Sequence, residues 1–93
     1  MEKIIIEEFM LEGLKLNSNA LVLYAILWHD SEHGKRTVQN DFAAYSRRMN
    51  VAIPTYYSTI KKLTEKGLVS EKRKGELTVT DKLAKRSPFK AKN

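Results

Sequence analysis

The sequence contains no cysteine, only two prolines and four glycines, and its longest uninterrupted apolar run spans only residues 20–28. The absence of cysteine excludes disulfide bonds and thiolate metal sites. A transmembrane helix needs about 20 apolar residues, so the longest run has half the required length. The first residues, MEKIIIEEF, place glutamates where a secretory signal has a basic stretch. We therefore expect a cytoplasmic protein that does not enter a membrane.

Internal repeats, low-complexity tracts and flexible linkers are also missing. A chain of 93 residues can build one hydrophobic core but not two. Its hydrophobic content of 42% is typical of a globular chain. We predict one domain over residues 1–93, with an N-terminal helical extension (1–16), a core (17–80), and a short helix with a basic tail (81–93).

Basic residues are scarce in the first third of the chain and abundant afterwards. Up to residue 34, two lysines stand against six acidic residues, a balance of −4. From residue 35 onward, fifteen Lys and Arg stand against five acidic residues, a balance of +10. Such segregation indicates a polyanionic partner for the C-terminal two-thirds, although a well-solvated basic surface would look the same.

Signatures of catalysis and cofactor binding are absent from the sequence. It contains neither a nucleophile elbow nor a glycine-rich phosphate loop. His29 and His33 are four residues apart, as metal ligands on a helix would be, but no third ligand is evident. We expect no enzymatic activity, no cofactor, no metal and no small-molecule ligand.

Two helices are predicted in the N-terminal half. The first ends near Gly13 and is indicated by apolar residues at helical spacing: Ile5, Ile6, Phe9 and Met10. The second opens at one of three good N-caps, residues 17–19, and ends near residue 29 or 30. It is apolar nearly all round, which indicates a helix buried on most sides. This apolar surplus favours a homodimer formed through the N-terminal helices; the alternative is a first helix that folds back as a lid.

A helix–turn–helix pattern follows a possible short strand at residues 37–38. Asn40 can cap a third helix with an inward stripe of Phe42, Tyr45, Ser46 and Met49. Residues 50–52 form a turn, and a fourth helix over 53–66 ends before Gly67. Its apolar stripe consists of Ile53, Tyr56, Ile60 and Leu63, so Tyr56 is predicted to face the core. Tyr57 lies about 100° away on the flank of the wheel.

The last predicted element is a hairpin over residues 68–80, LVSEKRKGELTVT. A three-residue loop at 73–75, with Gly75 in the left-handed region, places Val69 opposite Val79 and Glu71 opposite Leu77. We prefer this to a two-residue turn at 74–75 because it puts both valines on one face.

Residues 41–80 resemble a winged helix-turn-helix domain. The stretch YSRRMNVAIPTYYSTIKKLTEKGLV has the family's spacing, with a polar turn, a second helix and a closing LTEKGLV before the hairpin. MarR-like regulators share this pattern, and the N-terminal domains of plasmid replication initiators and phage replisome organisers are also similar. The resemblance implies a mainly α fold with a small β-hairpin wing. It covers about three-quarters of the chain when the second helix is included.

The resemblance implies double-stranded DNA as the partner, with the fourth helix in the major groove and the hairpin as a wing. The expected DNA-binding residues on this helix are Pro54, Thr55, Tyr57, Ser58, Lys61 and Lys62. Arg47 and Arg48, before the turn, and Lys72, Arg73 and Lys74, at the wing tip, are expected to contact phosphates. Tyr57 could instead pack on the hairpin.

The sequence departs from the family pattern at two places. Ala52 replaces the usual N-cap serine or threonine of the recognition helix, and Pro54 compensates in part. Arginine is absent from residues 55–66, which implies modest base selectivity.

A bacterial or phage transcriptional regulator is the role we expect. Origin binding during replication is the alternative, and a protein-docking module without DNA binding is the competing class.

Overall fold

The computed structural model of the protein describes residues 4–12, 16 and 18–80. Its helices and strands are α1 (Glu8–Glu12), α2 (Ser18–Asp30), β1 (Val38–Gln39), α3 (Phe42–Met49), α4 (Ile53–Glu65), β2 (Val69–Arg73) and β3 (Glu76–Val79). The predicted fold class, mainly α with a hairpin wing in a winged helix-turn-helix arrangement, is confirmed. The helix and basic tail predicted at 81–93 lie outside the described residues, as does Asn17.

Helix α2 forms the centre of the core, as its all-round apolar pattern predicts. Its buried residues are Ala20, Leu23, Tyr24, Ala25, Ile26, Leu27 and Trp28. Helices α1, α3 and α4 all pack against it, which explains why no polar face is needed. The hydroxyl of Tyr24 also donates a hydrogen bond to the carbonyl of Thr80, 2.8 Å away, and joins α2 to the end of β3. None of the helices in the described part of the chain has the length and apolarity that crossing a bilayer demands.

Helix α1 is shorter than the sequence pattern predicts. It begins at Glu8, so Ile5 and Ile6 precede it and are exposed, contrary to their predicted place on the helix. Five residues are too few for a stable isolated helix, so α1 depends on its packing against α2. Met10 is buried, and the ring of Phe9 lies 5.4 Å from that of Trp28. Helix α1 therefore folds back onto α2 through these two side chains.

The three strands form an antiparallel sheet in the order β1–β3–β2. Val38 of β1 pairs with Leu77, and β1 lies one residue later than predicted. In the hairpin, Val69 pairs with Val79 and Glu71 with Leu77, so the predicted register is confirmed. Both valines are buried, because residues of like parity point to the same face of a sheet.

The tip of the hairpin differs from the predicted three-residue loop. Arg73 pairs with Glu76, which leaves a two-residue turn at Lys74 and Gly75, and the strand irregularity lies between Glu71 and Arg73. A bulge there absorbs one residue, so a two-residue turn and the inward placement of both valines are compatible. Gly75 has a φ of 79°, as predicted, and its N–H donates to Oε2 of Glu71 over 2.9 Å.

Candidate nucleic-acid interface

Helix α3 is capped by Asp41 and not by the predicted Asn40. Oδ1 of Asp41 accepts a hydrogen bond from the N–H of Ala44 over 3.1 Å. The side-chain oxygen of Asn40 instead accepts from the hydroxyl of Tyr56, and its backbone N–H donates to the carbonyl of Gly75 over 2.9 Å. Asn40 thus links α4 and the hairpin, a contact between distant segments that a local capping pattern does not reveal.

The turn between α3 and α4 occupies residues 50–52, as predicted. Asn50 takes the left-handed conformation, with φ 61° and ψ 48°, and its N–H donates to the carbonyls of Arg47 and Ser46. Asparagine tolerates this conformation better than most residues that are not glycine. Ala52 provides no side-chain cap for α4, and Pro54 lies in the first turn, both as the sequence indicates.

The inward face of α4 is rotated from its predicted position. Tyr56 and Leu63 are fully buried as expected, but Thr59 is also buried, whereas Ile53 is 41% exposed, contrary to prediction. The centre of the buried face is therefore displaced by roughly 40° around the helix. The hydroxyl of Thr59 donates to the carbonyl of Thr55 over 2.7 Å, which satisfies it inside the core.

The opposite face of α4 carries the predicted contact residues. Thr55 is half-buried, and the remaining side chains are exposed: Pro54, Tyr57, Ser58, Lys61, Lys62 and Glu65. The hydroxyl of Ser58 donates to the carbonyl of Thr55 over 3.0 Å and keeps its oxygen as an acceptor. A shallow groove beside this face is lined by Asn19, Thr55, Ser58, Thr59 and Lys62. The first turns thus present hydroxyl groups, and lysines follow one turn later.

Tyr57 is exposed, and it packs against α3. Its ring lies 5.8 Å from that of Phe42, and 5.5 Å from that of Tyr56. Phe42 was expected to face the core but is 42% exposed, because as the first residue of α3 it packs against the exposed ring of Tyr57. The pair forms an exposed aromatic surface across α3 and α4, and it fixes the direction of the Tyr57 ring.

The two adjacent arginines of α3 have different surroundings. Arg47 is exposed, as predicted, beside a pocket that follows the turn and is also lined by Asn50 and Val51. Arg48 is folded against α2, where its Nη1 lies 2.9 Å from Oδ2 of Asp30. Its guanidinium also lies over the ring of Tyr45, 5.8 Å from the ring centre. The two arginines, which were both expected to contact phosphates, therefore differ: Arg47 is exposed, whereas a carboxylate on α2 holds Arg48.

Tyr45 and Tyr56 are buried phenols that donate hydrogen bonds. Burial, with the adjacent Asp30 carboxylate, raises the pKa of Tyr45 well above its usual range, and burial likewise raises the pKa of Tyr56. The hydroxyl of Tyr45 donates to Oδ2 of Asp30 over 2.9 Å. The rings of Tyr45 and Tyr56 lie nearly parallel, 6.3 Å apart, across the α3–α4 contact. These contacts hold the two helices of the motif at a fixed angle.

The basic surface of the described part is largely unpaired. Residues 35–80 contain ten Lys and Arg against four acidic residues. Of these ten Lys and Arg, only Arg36 and Arg48 have an ion pair with an acidic side chain of the described residues. The other eight cations are exposed: Lys35, Arg47, Lys61, Lys62, Lys66, Lys72, Arg73 and Lys74. Three of them follow one another at the tip of the hairpin, as predicted.

Comparison of the chain with family models, with curated proteins and with solved structures found no match.

Proposed function

We propose that the protein binds double-stranded DNA without enzymatic activity and acts as a transcriptional regulator. Helix α4 lies in the major groove, and the β2–β3 hairpin lies along the phosphate backbone. The observation that carries this proposal is the outward face of α4, where the half-buried Thr55 and the exposed Tyr57 and Ser58 precede Lys61 and Lys62. Short polar side chains near a helix start can reach base edges, and the lysines that follow can bind phosphates.

The distribution of charge supports the same partner. Arg47, before the turn, and the basic hairpin tip flank α4 in sequence, and both are free of ion pairs within the described residues. A cation that has no carboxylate partner can release counterions from DNA without first losing an internal ion pair. We assign phosphate contacts to Arg47 and to the hairpin tip, and a structural role to Arg48.

A second copy of the chain is the partner that we propose for the N-terminal segment. Ile4, Ile5 and Ile6 are 39%, 51% and 40% exposed, and Leu11 is 61% exposed, although Met10 and Phe9 beside them pack on α2. Four large apolar side chains exposed within one short segment favour self-association. A homodimer would present two copies of α4 to two DNA half-sites.

The DNA proposal is tested by titrating the untagged protein onto a random duplex in a gel-shift assay at several salt concentrations. We expect micromolar or tighter binding at about 50 mM salt, weakening steeply as salt rises. Selection from a randomised duplex pool should then enrich a preferred site. Arg36→Gln is a suitable control because Arg36 is paired with Glu32, and its loss should leave affinity nearly unchanged.

No binding at about 50 mM salt would contradict the proposal. The winged helix would then act as a docking module for another protein. Binding that does not depend on salt would also contradict it, because contacts to phosphates release counterions.

A further inference from the structure

Three side chains that are distant in sequence meet at one end of α2. Glu7 precedes α1, His29 lies in the last turn of α2, and His33 lies in the turn that follows. One ligand atom from each lies within 4.8 Å of the others. Oε2 of Glu7 lies 3.3 Å from Nε2 of His29 and 3.9 Å from Nε2 of His33. The two histidines lack an evident third ligand in the sequence, and the fold supplies Glu7.

Nε2 of His29 is buried and has no hydrogen-bond partner among the described residues. It is close to the Glu7 carboxylate, but the two groups lack the alignment of a hydrogen bond. Buried polar atoms are rarely left unpaired, and a bound ion can satisfy one that has no protein partner. A cation between the two groups would accept the lone pair of the imidazole and one of the carboxylate.

We propose that Glu7, His29 and His33 form a binding site for one Zn²⁺ ion. Two imidazoles and one carboxylate are a common zinc ligand set, with water in the fourth position. Bonds of about 2.1 Å in a tetrahedral site place neighbouring ligand atoms roughly 3.4 Å apart, close to the separation of Glu7 and His29. The 3.9 Å between Oε2 of Glu7 and Nε2 of His33 is slightly longer than this, so His33 must move a little closer to bind the same ion. Ca²⁺ and Mg²⁺ prefer oxygen ligands and suit this set less well.

The surrounding structure orients two of the ligands before an ion binds. The ring of His33 is stacked on that of Trp28, 5.4 Å away, and the backbone N–H of His33 donates to the backbone carbonyl of Trp28 over 2.8 Å. The buried hydroxyl of Ser31 accepts from the N–H of Gly34 and closes the turn that carries His33. His33 itself is 55% exposed along its side chain, so an ion and its water can reach the site.

A bound ion would join the segment before α1 to the end of α2. Glu7 is the only one of the three ligands outside α2 and its following turn, and its backbone carbonyl accepts a hydrogen bond from the N–H of Met10. Fixing Glu7 therefore also fixes the start of α1. Zinc is thus inferred to order the N-terminal segment, whether or not the protein binds DNA.

The test uses the full chain without a polyhistidine tag, freed of metal by a chelator. Zn²⁺ affinity is measured by competition with a chromogenic chelator, and we expect one ion per chain. Glu7→Gln, His29→Gln and His33→Asn should each weaken binding more than about tenfold, because even changes outside the ligand shell cost that much. Glu8→Gln removes the same charge from the neighbouring exposed residue and should leave affinity unchanged. Asparagine is chosen at His33 because φ there is 62°.

A second readout reports the position of the ion. Co²⁺ in the site should give the visible absorption of a tetrahedral complex and quench Trp28, the single tryptophan, whose ring stacks on His33. Circular dichroism identifies any variant that fails to fold. His33→Asn should fold normally because the His33 side chain is largely exposed, so its effect on zinc affinity can be measured even if another variant unfolds. Absence of stoichiometric binding, or binding unaffected by Glu7→Gln, would overturn the proposal.

Discussion

The hydroxyl of Tyr56 on α4 donates a hydrogen bond to the side-chain oxygen of Asn40, which lies between β1 and α3. A phenol is already protonated at physiological pH, and burial raises the pKa of Tyr56 further, so the hydroxyl remains a donor. Together with the buried side chains Tyr56, Thr59 and Leu63, this bond holds one face of α4 toward the core. The face held inward decides which side chains face outward, so the candidate DNA surface depends on contacts in the core.

Replacing Tyr56 should destabilise the fold. Tyr56→Ala should lower the free energy of unfolding by roughly 3–5 kcal/mol, through lost burial and the cavity that remains. Tyr56→Phe retains the ring and should cost only about 1 kcal/mol, the contribution of the hydrogen bond to Asn40. Denaturant titration followed by circular dichroism measures both values.

Tyr57→Ala is the matched control on the adjacent residue. Tyr57 is 45% exposed, so its loss should cost less than about 1 kcal/mol of stability. The same variant should reduce DNA affinity. If Tyr57→Ala unfolds the domain while Tyr56→Ala does not, the proposed outward face of α4 is wrong.

Asn50 should tolerate glycine better than alanine. Its φ of 61° lies in the left-handed region, where a Cβ without a polar side chain is disfavoured. Asn50→Ala should destabilise the domain by about 1 kcal/mol, whereas Asn50→Gly should leave stability within roughly 0.5 kcal/mol. Thermal melting of the two variants compares them directly; equal melting temperatures would contradict the argument.

Hydrophobic patterning predicted where the helices and strands lie better than it predicted which side of each helix is buried. Helix α2 and the hairpin register followed from strong local signals: an apolar run and two alternating strands. Ile53 and Phe42 were assigned to the core because they are apolar and in phase. Both lie in the first turn of their helices, and the buried face of α4 is also rotated from the predicted stripe, which helical phase alone does not reveal.

Polar contacts between segments that are distant in sequence could not be predicted from the sequence. Thr59 is buried because its hydroxyl is satisfied within α4, and Arg48 turns inward because Asp30 lies on the neighbouring helix. Glu7 reaches the histidines only because α1 folds back onto α2. Each depends on how helices pack, whereas a helical wheel treats one helix at a time.

The two arginines of α3 should separate stability from DNA binding. Arg48→Gln removes a partly exposed ion pair with Asp30 and the contact with the Tyr45 ring, and should cost about 1 kcal/mol after allowing for solvent screening. Arg47→Gln should change stability by less than about 0.5 kcal/mol but weaken binding to every duplex. Thermal melting and gel-shift assays of both variants test this. If Arg47→Gln lowered stability and Arg48→Gln weakened DNA binding, the roles assigned to the two arginines would be wrong.

The proposed homodimer should depend on the exposed apolar residues of the N-terminal segment. Ile5→Asp and Leu11→Asp each place a charge in a surface that association would bury, and should shift the protein toward monomer. Light scattering after size-exclusion chromatography, over a range of concentrations, measures the mass. Lys35→Asp, at an exposed residue in the turn after α2, is the control. A wild-type mass that stays monomeric at all concentrations would contradict the proposal.

The last prediction separates base contacts from phosphate contacts. Thr55→Ala, Tyr57→Ala and Ser58→Ala should reduce the discrimination between a selected site and a scrambled duplex, because these side chains face the bases in the proposed complex. Gln substitutions at Lys72, Arg73 and Lys74 should weaken both duplexes equally and lower the salt slope by about 0.9 for each lost phosphate contact. If hairpin substitutions changed sequence preference while α4 substitutions did not, the hairpin would be the reading element and α4 the anchor.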